Sequence, residues 1–547
     1  MTRSIATIAV SVMCAFAAGA LAAQALPGFD DANIRASIRT LSSDEFAGRA
    51  PDTIGEQKTI AYIADRFKAY GLAPADHGSY FQDVPLVQIT AAPDATLAVA
   101  GGRAPLDLRY GEDMMVYTER LTQTVSLQSS PLVFAGYGIV APEYHWNDYA
   151  GLDVRGKTVV VLVNDPGYAT GDPALFHGKA MTYYGRWTYK YEEAARQGAA
   201  GILIVHETGP AGYPWAVVHN SMIGAREELS PGKAYRPAVE GWLTHDAAVK
   251  LFAAAGLNFE RLAAAAARRG FAPVPLRQTV SVSLHNTVRS IVSHNVVALV
   301  RGAARPNEVV VYSAHWDHFG TRKGPDGKPQ IFHGAVDNGS GIASLLELAR
   351  VFAATRPRPA RSVLFVATTS EEQGLLGAAY YARHPLIPLA DTVADLNMDV
   401  MNVYGATRDV EVRGQAMSTL DDDLRAAAHD LGLVVRPDAE PEKGYYFRAD
   451  HFEFAKAGVA ALSIQDGTDF VGRPAGWGLA QLRDYTRFHY HKPADTYNPH
   501  WDLAGLRQEL QVLYLTGRRL ADQRSRPQWY ADSPFRKVRA AERSAAR

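Results

Sequence analysis

The sequence of 547 residues contains a single cysteine, Cys14. One cysteine cannot build an internal disulfide framework or a cysteine-based zinc site. Neither sign of charge is in excess, because 56 Lys and Arg residues stand against 57 Asp and Glu residues, for a formal net charge of −1. This balance gives no global electrostatic reason for binding nucleic acid or an anionic membrane. The 17 histidines remain as nitrogen ligands for a metal site.

Long apolar runs are absent outside the N-terminus. The uncharged stretch from Ile5 to Ala23 follows Arg3 and ends in small residues, which is the layout of a secretory signal peptide over residues 1–25. The stretch is barely long enough to cross a bilayer, so an uncleaved anchor is the alternative. Cleavage would remove Cys14, place the protein in the periplasm or outside the cell, and leave it without stable membrane insertion.

Several motifs of common enzyme classes are also missing. The sequence has no internal repeat, no P-loop and no Gly-x-Ser-x-Gly nucleophile motif. The composition, 47% hydrophobic and 21% charged, is nevertheless that of a folded protein. The length fits either several domains or one enzyme core with an insertion.

The C-terminal half alternates between apolar strands and amphipathic helices. This alternation predicts an α/β fold with a mostly parallel mixed sheet flanked by helices. Two further helices are expected near the N-terminus, at 30–41 and 56–70. The predicted strands of the C-terminal half are 308–313, 362–368, 393–401 and 459–464, and its predicted helices are 339–354, 375–382 and 420–431.

The middle of the chain has a different texture, with buried strands and glycine turns at 132–138, 157–163 and 201–205. A helix at 190–197 and an alanine-rich helix at 253–269 accompany them. The texture changes at Pro131 and again around Asn286 to Ser293, so residues 130–288 form a β-rich region distinct from the C-terminal half. The basic tail, 524–547, is expected to be a solvated terminus.

Metal-ligand side chains follow the predicted strands of the C-terminal half. In parallel sheets, functional groups gather beyond the carboxyl ends of the strands. Singly each residue has a plainer explanation, since an Asp before a helix is usually a cap and a lone His is usually structural. Together they predict a site of nitrogen and oxygen ligands suited to zinc. The residues are His315, Asp317, Asp337, Glu371, Glu372, Asp399 and His491.

The spacing of these residues suggests a division of roles. His315 and Asp317 point to the same side of an extended chain, so the carboxylate can accept the second N–H of the imidazole. Glu371 and Glu372 are adjacent and cannot both point the same way, so one can bind metal while the other acts as a general base. A two-metal site also needs a bridging carboxylate.

These motifs together resemble the M28 zinc metallopeptidases, which include bacterial aminopeptidases and relatives of glutamate carboxypeptidase. The residues that carry the resemblance are His315-x-Asp317, Asp337-Asn338-Gly339-Ser340-Gly341, Glu371-Glu372-Gln373-Gly374-Leu375, Asp399 and the His491-x-Pro-x-Asp-Thr segment. The resemblance implies a zinc-peptidase fold built from residues 26–129 and 289–523. The middle region, 130–288, resembles the protease-associated domain that such enzymes often insert.

The resemblance also implies two Zn²⁺ ions per chain and a role for each site residue. His315 and Asp399 would hold one ion, and Glu372 and His491 the other. Asp337 would bridge the two ions. Glu371 would be the general base, Asp317 would support the ligands, and Tyr490 would stabilise the oxyanion.

The implied activity is hydrolysis of N-terminal residues from peptides by an exported metallo-aminopeptidase. A carboxypeptidase or dipeptidase on the same scaffold is the first alternative, and it would need arginines such as Arg413, Arg448 or Arg473 to recognise a carboxylate. A non-catalytic, receptor-like binding protein is the second.

Four neighbouring features receive plainer interpretations. Asp450 is expected to cap a helix, with a segment that resembles the family's substrate-pocket lining as the alternative, and His318 is expected to lie in a loop or behind the ligands. Tyr445 to Phe447 are expected in the core, with a wall of the specificity pocket as the alternative. The aromatic residues Tyr183, Tyr184, Trp187 and Tyr189 are expected to form a surface or interdomain patch, with the substrate entrance as the alternative.

Overall fold

A computed structural model describes residues 26–92, 95–230, 235–324, 326–413, 417–531, 533 and 535–539. The predicted signal peptide, including Cys14, lies outside the described residues, as does the end of the basic tail from 540 onward. Within the described ranges, no helix combines the length and the apolarity needed to cross a membrane.

The sheet that carries the predicted site is parallel at its centre. Strand Arg305–His315 pairs in parallel with Arg361–Thr368 on one side and Thr392–Asn397 on the other. Thr392–Asn397 in turn pairs in parallel with Ala461–Asp466. Every residue of Arg361–Thr368 and Thr392–Asn397 is buried, as expected for strands covered on both faces. The predicted α/β fold class is therefore confirmed.

Antiparallel strands extend this sheet at both flanks, which makes it mixed. On one flank, Val274–Val300 pairs with Arg361–Thr368 and with Phe81–Ala91. On the other flank, Asp409–Arg413 runs antiparallel to Ala461–Asp466 and parallel to Val434–Pro437. The parallel centre is therefore the part of the sheet where several strand ends meet on one side.

The middle of the chain forms a second sheet that shares one strand with the first. Residues 286–296 of the strand Val274–Val300 pair with Phe81–Ala91, whereas residues 274–285 pair with Thr124–Phe134. Thr124–Phe134 pairs in parallel with Thr158–Leu162, which in turn pairs in parallel with Gly201–Val205. Separate hydrophobic clusters cover the two faces of this second sheet. One continuous strand thus joins the two sheets.

Helices cover the first sheet, and Gly341–Ala354 is almost completely buried against it. The α-helices are Asp31–Leu41, Ile54–Ala69, Pro166–Thr170, Trp187–Gln197, Thr208–Ala211, Trp215–Met222, His245–Ala254, Phe259–Ala266, Gly341–Ala354, Leu376–Arg383, Leu420–Asp430, His451–Lys456, Trp477–Phe488 and Ala504–Asp522. The strands not yet named are Ala73–Pro74, Thr96–Gly101, Leu106–Arg109, Met114–Tyr117, Val140–Ala141, Trp146–Asn147, Ala225–Leu229, Val239–Leu243, Thr321–Lys323 and Pro329–Ile331.

The prediction of one alanine-rich helix over 253–269 is wrong. One helix ends at Ala254 and a second begins at Phe259. Gly256 between them has a φ of 77°, which a helix cannot accommodate. The side chain of Asn258 then caps the second helix by accepting the backbone N–H of Arg261 at 2.7 Å.

The prediction of a solvated tail from residue 524 is also wrong as far as residue 539. Trp529 and Phe535 are buried in the core of the first sheet. The guanidinium of Arg539 donates to the carbonyl oxygens of Leu389 and Thr392, both at 2.6 Å. Trp529 and Phe535 are apolar residues in an otherwise arginine-rich tail, and their burial holds the tail against the core.

Candidate metal centre

The structure brings all eight predicted site residues together beyond the carboxyl ends of the parallel strands. His315 is the last residue of its strand, and Glu371 follows the neighbouring strand by three positions. Asp399 follows Thr392–Asn397 by two positions. Asp337 lies in the turn that opens helix Gly341–Ala354. This is the sheet edge where ligands and active sites gather in α/β folds.

One group of ligand-type atoms forms around His315. Its Nε2 atom lies 3.3 Å from Oδ1 of Asp337 and 3.5 Å from Oδ1 of Asp399. All three residues are buried, and their ligand atoms lie within 4.8 Å of one another. The group therefore places one imidazole nitrogen and two carboxylates around one point.

A second group forms on the other side of Asp337. The Nε2 atom of His491 lies 3.1 Å from Oε2 of Glu372 and 3.4 Å from Oδ2 of Asp337. Asp337 thus presents Oδ1 to one histidine and Oδ2 to the other. This is the arrangement that a bridging carboxylate between two ions requires.

His318, which was expected in a loop or behind the ligands, also belongs to the second group. Its Nδ1 atom lies 2.5 Å from Oε1 of Glu372, and its side chain is fully buried. His318, Asp337 and Glu372 offer ligand atoms within 4.8 Å of one another. The only sequence signal for this residue is its place three positions after His315.

Asp317 supports the two glutamates more directly than it supports the imidazole. Its carboxylate accepts the backbone N–H of Glu371 at 3.0 Å and that of Glu372 at 3.3 Å. The same carboxylate is 3.7 Å from Nδ1 of His315, whereas the backbone oxygen of Asp317 is 3.2 Å from that nitrogen. Asp317 therefore fixes the turn that carries both glutamates.

Asp495, from the last motif of the sequence, holds the Asp337 turn. Its carboxylate accepts the backbone N–H of Val336 at 3.1 Å and that of Asp337 at 3.0 Å. It also accepts the hydroxyl of Tyr485 at 3.2 Å. Three donors on one buried carboxylate fix the position of the carboxylate that both groups share.

Arg49 ties the N-terminal segment to the same loops. Its buried guanidinium donates to four backbone carbonyl oxygens and forms no ion pair among the described residues. The acceptors are Leu41 at 2.7 Å, Trp316 at 2.9 Å, His333 at 2.6 Å and Gly334 at 2.8 Å. Trp316 lies between His315 and Asp317, and Gly334 lies three positions before Asp337. Arg49 therefore holds in place the two loops that carry these site residues.

The middle segment contributes its own contacts to the site. Oγ of Ser221 lies 2.9 Å from Nδ1 of His491, and the side-chain amide of Asn220 donates to the backbone oxygen of His491 at 3.0 Å. Both residues are on helix Trp215–Met222. A partner on Nδ1 leaves Nε2, which faces the carboxylates, as the nitrogen that can bind metal.

Glu371 stands beside both groups and remains close to a cavity. Its Oε2 atom is 3.8 Å from Nε2 of His315. Burial raises the pKa of Glu371 well above its usual range; the charge of His315 opposes this rise, while Asp399 and Glu372 add to it. A carboxyl group with a raised pKa is suited to exchanging protons near neutral pH.

Tyr490 lies against His491, with ring centroids 3.8 Å apart and an interplanar angle of 29°. Burial, with Asp337 and Glu372 adding to its effect, raises the pKa of the Tyr490 hydroxyl well above 10. The hydroxyl therefore stays protonated and can donate a hydrogen bond.

The interpretation of Asp450 as a helix cap is wrong. Its side chain makes no capping hydrogen bond to helix His451–Lys456. Its carboxylate instead accepts the hydroxyl of Thr368, at the end of a central strand, and is completely buried. Burial raises the pKa of Asp450, while the charge of His315 opposes the rise. Asp450 thus stands directly before the helix as a buried carboxyl near the site, and its side chain does not cap the helix.

The donor set fits a divalent metal centre. Nε2 of His315, Nε2 of His318 and Oδ2 of Asp337 are buried and have no hydrogen-bond partner among the described residues. Leaving buried polar atoms without partners is costly, and gathering carboxylates raises mutual repulsion. Divalent cations relieve both costs, and imidazole nitrogen and carboxylate oxygen are zinc ligands.

A cavity of about 180 Å³ opens from the site toward the middle segment. Glu371, Tyr490 and His491 form its wall on the side of the metal centre. Tyr183 and Trp187 also line this cavity. Two of the four aromatic residues of the predicted patch thus face the same cavity as the candidate catalytic residues.

The site lies in the part of the chain that a known family model matches. Residues 295–515 match the family model of Peptidase family M28. Aminopeptidase NAALADL1 of Mus musculus is 35% identical over 146 residues, which cover 25% of this chain and 18% of that protein. A probable zinc metalloprotease of Pyricularia oryzae is 38% identical over 120 residues, or 21% of this chain and 22% of that protein. This chain thus aligns with about a fifth of the length of these relatives.

The fold extends the likeness beyond those local alignments. The solved structure of an aminopeptidase from Aneurinibacillus sp. strain AM-1 superposes with a TM-score of 0.52 at 20% sequence identity. The superposition covers 90% of this chain and 94% of that one. The region that matches the model of Peptidase family M28 spans His315 to His491.

Proposed function

We propose that this protein is a metal-dependent exopeptidase, an aminopeptidase that removes N-terminal residues from peptides. The observation that carries the proposal is the Asp337 carboxylate, whose two oxygens face His315 at 3.3 Å and His491 at 3.4 Å. Glu371 stands beside this pair at the wall of the cavity. The aminopeptidases among the relatives support the same activity.

Two Zn²⁺ ions would be held by the five residues that the sequence singled out. His315 and Asp399 would bind one ion, Glu372 and His491 the other, and Asp337 both. When bound, the ions would polarise the peptide carbonyl and lower the pKa of the attacking water.

The protein's own residues would move the protons and bind the oxyanion. Glu371 would take a proton from the attacking water and deliver it to the leaving amine. Asp317 would hold Glu371 in place through the backbone N–H that it accepts at 3.0 Å. Tyr490 would donate a hydrogen bond to the oxygen that gains charge in the tetrahedral state.

The domain organisation is part of the proposal. Residues 26–129 and 289–523 would form one peptidase domain, interrupted by a protease-associated domain at 130–288. The second sheet and its own hydrophobic clusters support an inserted unit. Export to the periplasm or the medium, through a signal peptide at residues 1–25, remains a prediction from sequence alone.

The test uses leucine p-nitroanilide, its N-acetylated counterpart and a zinc determination on the same purified sample. We expect cleavage of the free-amine substrate, no cleavage of the blocked one, and two zinc ions per chain. Cleavage of N-blocked peptides at their C-terminus would identify a carboxypeptidase instead. Zinc content well below two per chain, with no peptidase activity, would favour the receptor-like alternative.

A further inference from the structure

The edge of the first sheet opposite the metal centre is rich in arginine. The three central parallel strands begin at this edge, at Arg305, Arg361 and Thr392, whereas the metal-ligand residues follow the other ends of these strands. The strand Arg361–Thr368 has 8 residues and therefore spans about 26 Å. The edge is thus well separated from the metal centre.

Five arginines at this edge have no acidic partner, and we call them the arginine face. Within the described ranges, no carboxylate forms an ion pair with the half-buried Arg305 or with the exposed Arg301, Arg356, Arg358 and Arg524. The guanidinium of Arg305 donates to the backbone oxygen of Asp522 at 2.8 Å. That of Arg356 donates to the backbone oxygens of Ala353 and Thr355, both at 2.8 Å. Neutral acceptors of this kind hold the guanidinium groups in place without cancelling their charge.

Hydrogen bonds bring the segments of the arginine face together. The backbone N–H of Arg305 donates to the backbone oxygen of Ala360 at 2.7 Å, which joins the start of this strand to the loop after helix Gly341–Ala354. The guanidinium of Arg361 donates to the backbone oxygen of Arg524 at 3.0 Å. The five arginines therefore come from three segments that meet at one edge.

Two acidic side chains at this edge already pair with arginines outside the face. Glu308 pairs with Arg361 and lies 3.2 Å from Arg526. Asp391 is 3.8 Å from Arg526 as well. Neither carboxylate pairs with a member of the arginine face.

The acidic side chains around helix Ala504–Asp522 are engaged in the same way. Asp522 pairs with Arg518 at 2.7 Å, and Asp430 pairs with Arg519. Asp423 accepts a side-chain amide at 3.3 Å. The charge that this edge offers to a partner is therefore positive, although the net charge of the whole chain is −1.

The described chain begins beside the arginine face. The rings of Phe29 and Tyr514 have centroids 6.5 Å apart. The hydroxyl of Tyr514 lies 3.2 Å from Oγ1 of Thr355, which directly precedes Arg356. The apolar stretch 5–23, which the sequence predicts to lead the chain to a membrane, precedes Phe29. The arginine face and this entry point thus lie on the same side of the molecule.

The chemistry of the face matches phosphate groups. Guanidinium groups can bind phosphate oxygens through two parallel hydrogen bonds. An arginine near an anionic lipid surface strengthens binding by about fivefold. Single-stranded nucleic acid also offers phosphates, but its bases stack on exposed aromatic rings. Phe352 and Trp529, the aromatic residues nearest in sequence to Arg356 and Arg524, are buried, so the face favours lipid.

We propose that the arginine face binds the anionic headgroups of a phospholipid membrane and docks the protein on its surface. The metal centre, at the opposite edge of the sheet, then faces away from the lipid. This inference goes beyond the proposed function, because lipid binding requires neither metal nor peptidase activity.

The experiment is co-sedimentation of the purified full-length chain with vesicles of phosphatidylcholine, alone or mixed with anionic phosphatidylglycerol. We expect binding only to the mixed vesicles, and we expect it to fall as NaCl rises from about 0.05 to 0.5 M, because salt screens exposed charges. Equal binding to both kinds of vesicle would show that apolar contacts hold the chain, and it would overturn the proposal.

Arginine variants locate the binding surface. Removal of three arginines from the face should weaken binding to the mixed vesicles by about 10- to 100-fold. Removal of three exposed arginines from the middle segment changes the net charge equally and should leave binding within about twofold of wild type. An equal loss in both variants would overturn the assignment to this face. The first variant is Arg356→Gln, Arg358→Gln and Arg524→Gln, and the control is Arg103→Gln, Arg261→Gln and Arg268→Gln.

Further readouts separate this inference from its rivals. Tighter binding to duplex DNA than to the mixed vesicles, at equal phosphate concentration, would assign the face to nucleic acid instead. Cleavage of leucine p-nitroanilide should be the same in the first variant as in wild type, because the face is remote from the metal centre. A wild-type chain that binds the vesicles but cleaves no peptide would refute only the proposed function. If the triple variant does not fold, Arg358→Gln alone should weaken binding by about fivefold.

Discussion

Glu371 and Glu372 are neighbours in the chain but face different partners. Glu372 lies 2.5 Å from His318 and 3.1 Å from His491, inside the second ligand group. Glu371 is 3.8 Å from His315 and reaches the cavity. Asp317 fixes the turn that carries both residues, because its carboxylate accepts both backbone N–H groups. This placement is compatible with the predicted division, in which Glu372 binds metal and Glu371 transfers protons.

Substitution of Glu371 tests that division. Glu371→Gln keeps the volume of the side chain but removes the proton acceptor, so kcat should fall by about 10²- to 10⁴-fold. Zinc content, measured by elemental analysis, should stay at the wild-type level because the proposed ligands are intact. The matched control is Glu45→Gln, an exposed glutamate paired with Lys58, which should behave as wild type. Near-normal turnover in the fully metallated Glu371→Gln variant would remove Glu371 from this role.

Residue types and chain order predicted which ligand-type residues lie together at the sheet edge, but they did not predict the contacts that hold those residues in place. His318 and Asp450 have local explanations in the sequence, and only the fold turns their side chains toward the site. Arg49 acts through backbone carbonyls from three separate segments, which leave no pattern in the sequence. Such contacts depend on how loops fold, so periodicity and motif spacing do not reveal them.

At the scale of elements, helix Trp215–Met222 is the least expected part of the site. It belongs to the middle segment, yet Ser221 contacts His491, 270 residues away. Arg322, in the loop that separates His315 from Asp337, donates to the backbone oxygen of Asn220 on the same helix. The helix therefore connects the middle segment with two loops of the metal centre.

Ser221→Ala removes the partner of Nδ1 on His491. A lost partner of a metal-binding imidazole typically costs 10- to 100-fold in metal affinity or activity. We expect zinc to be lost at a lower concentration of competing chelator, by about that factor, with an unchanged far-UV circular dichroism spectrum. The control is Ser230→Ala, an exposed serine that follows strand Ala225–Leu229. Equal zinc affinity in both variants would show that the middle segment does not orient His491.

At the scale of the whole molecule, the sequence predicted the parallel centre of the first sheet because its strands are apolar throughout and alternate with helices. It did not predict that Val274–Val300 would serve two sheets, since pairing partners are chosen by tertiary packing. The prediction of one alanine-rich helix over 253–269 was wrong because composition does not show where a helix ends. Helical composition extended across Gly256, and one residue with positive φ was enough to break the helix.

Removal of metal should destabilise the molecule, because its proposed ligands come from loops between residues 315 and 491. Zinc at 100 times its dissociation constant stabilises a folded protein by about 2.7 kcal/mol. We therefore expect a chelator to lower Tm by several degrees and two equivalents of zinc to restore it. Asp337→Asn replaces the carboxylate shared by both ligand groups with a weaker metal ligand, so it should reduce the zinc-dependent shift in Tm. Asp107→Asn, an exposed carboxylate far from these loops in sequence, should keep the full shift. A full shift in the Asp337→Asn variant would place the stabilising metal elsewhere, because a bridging ligand cannot be weakened without affecting both ions.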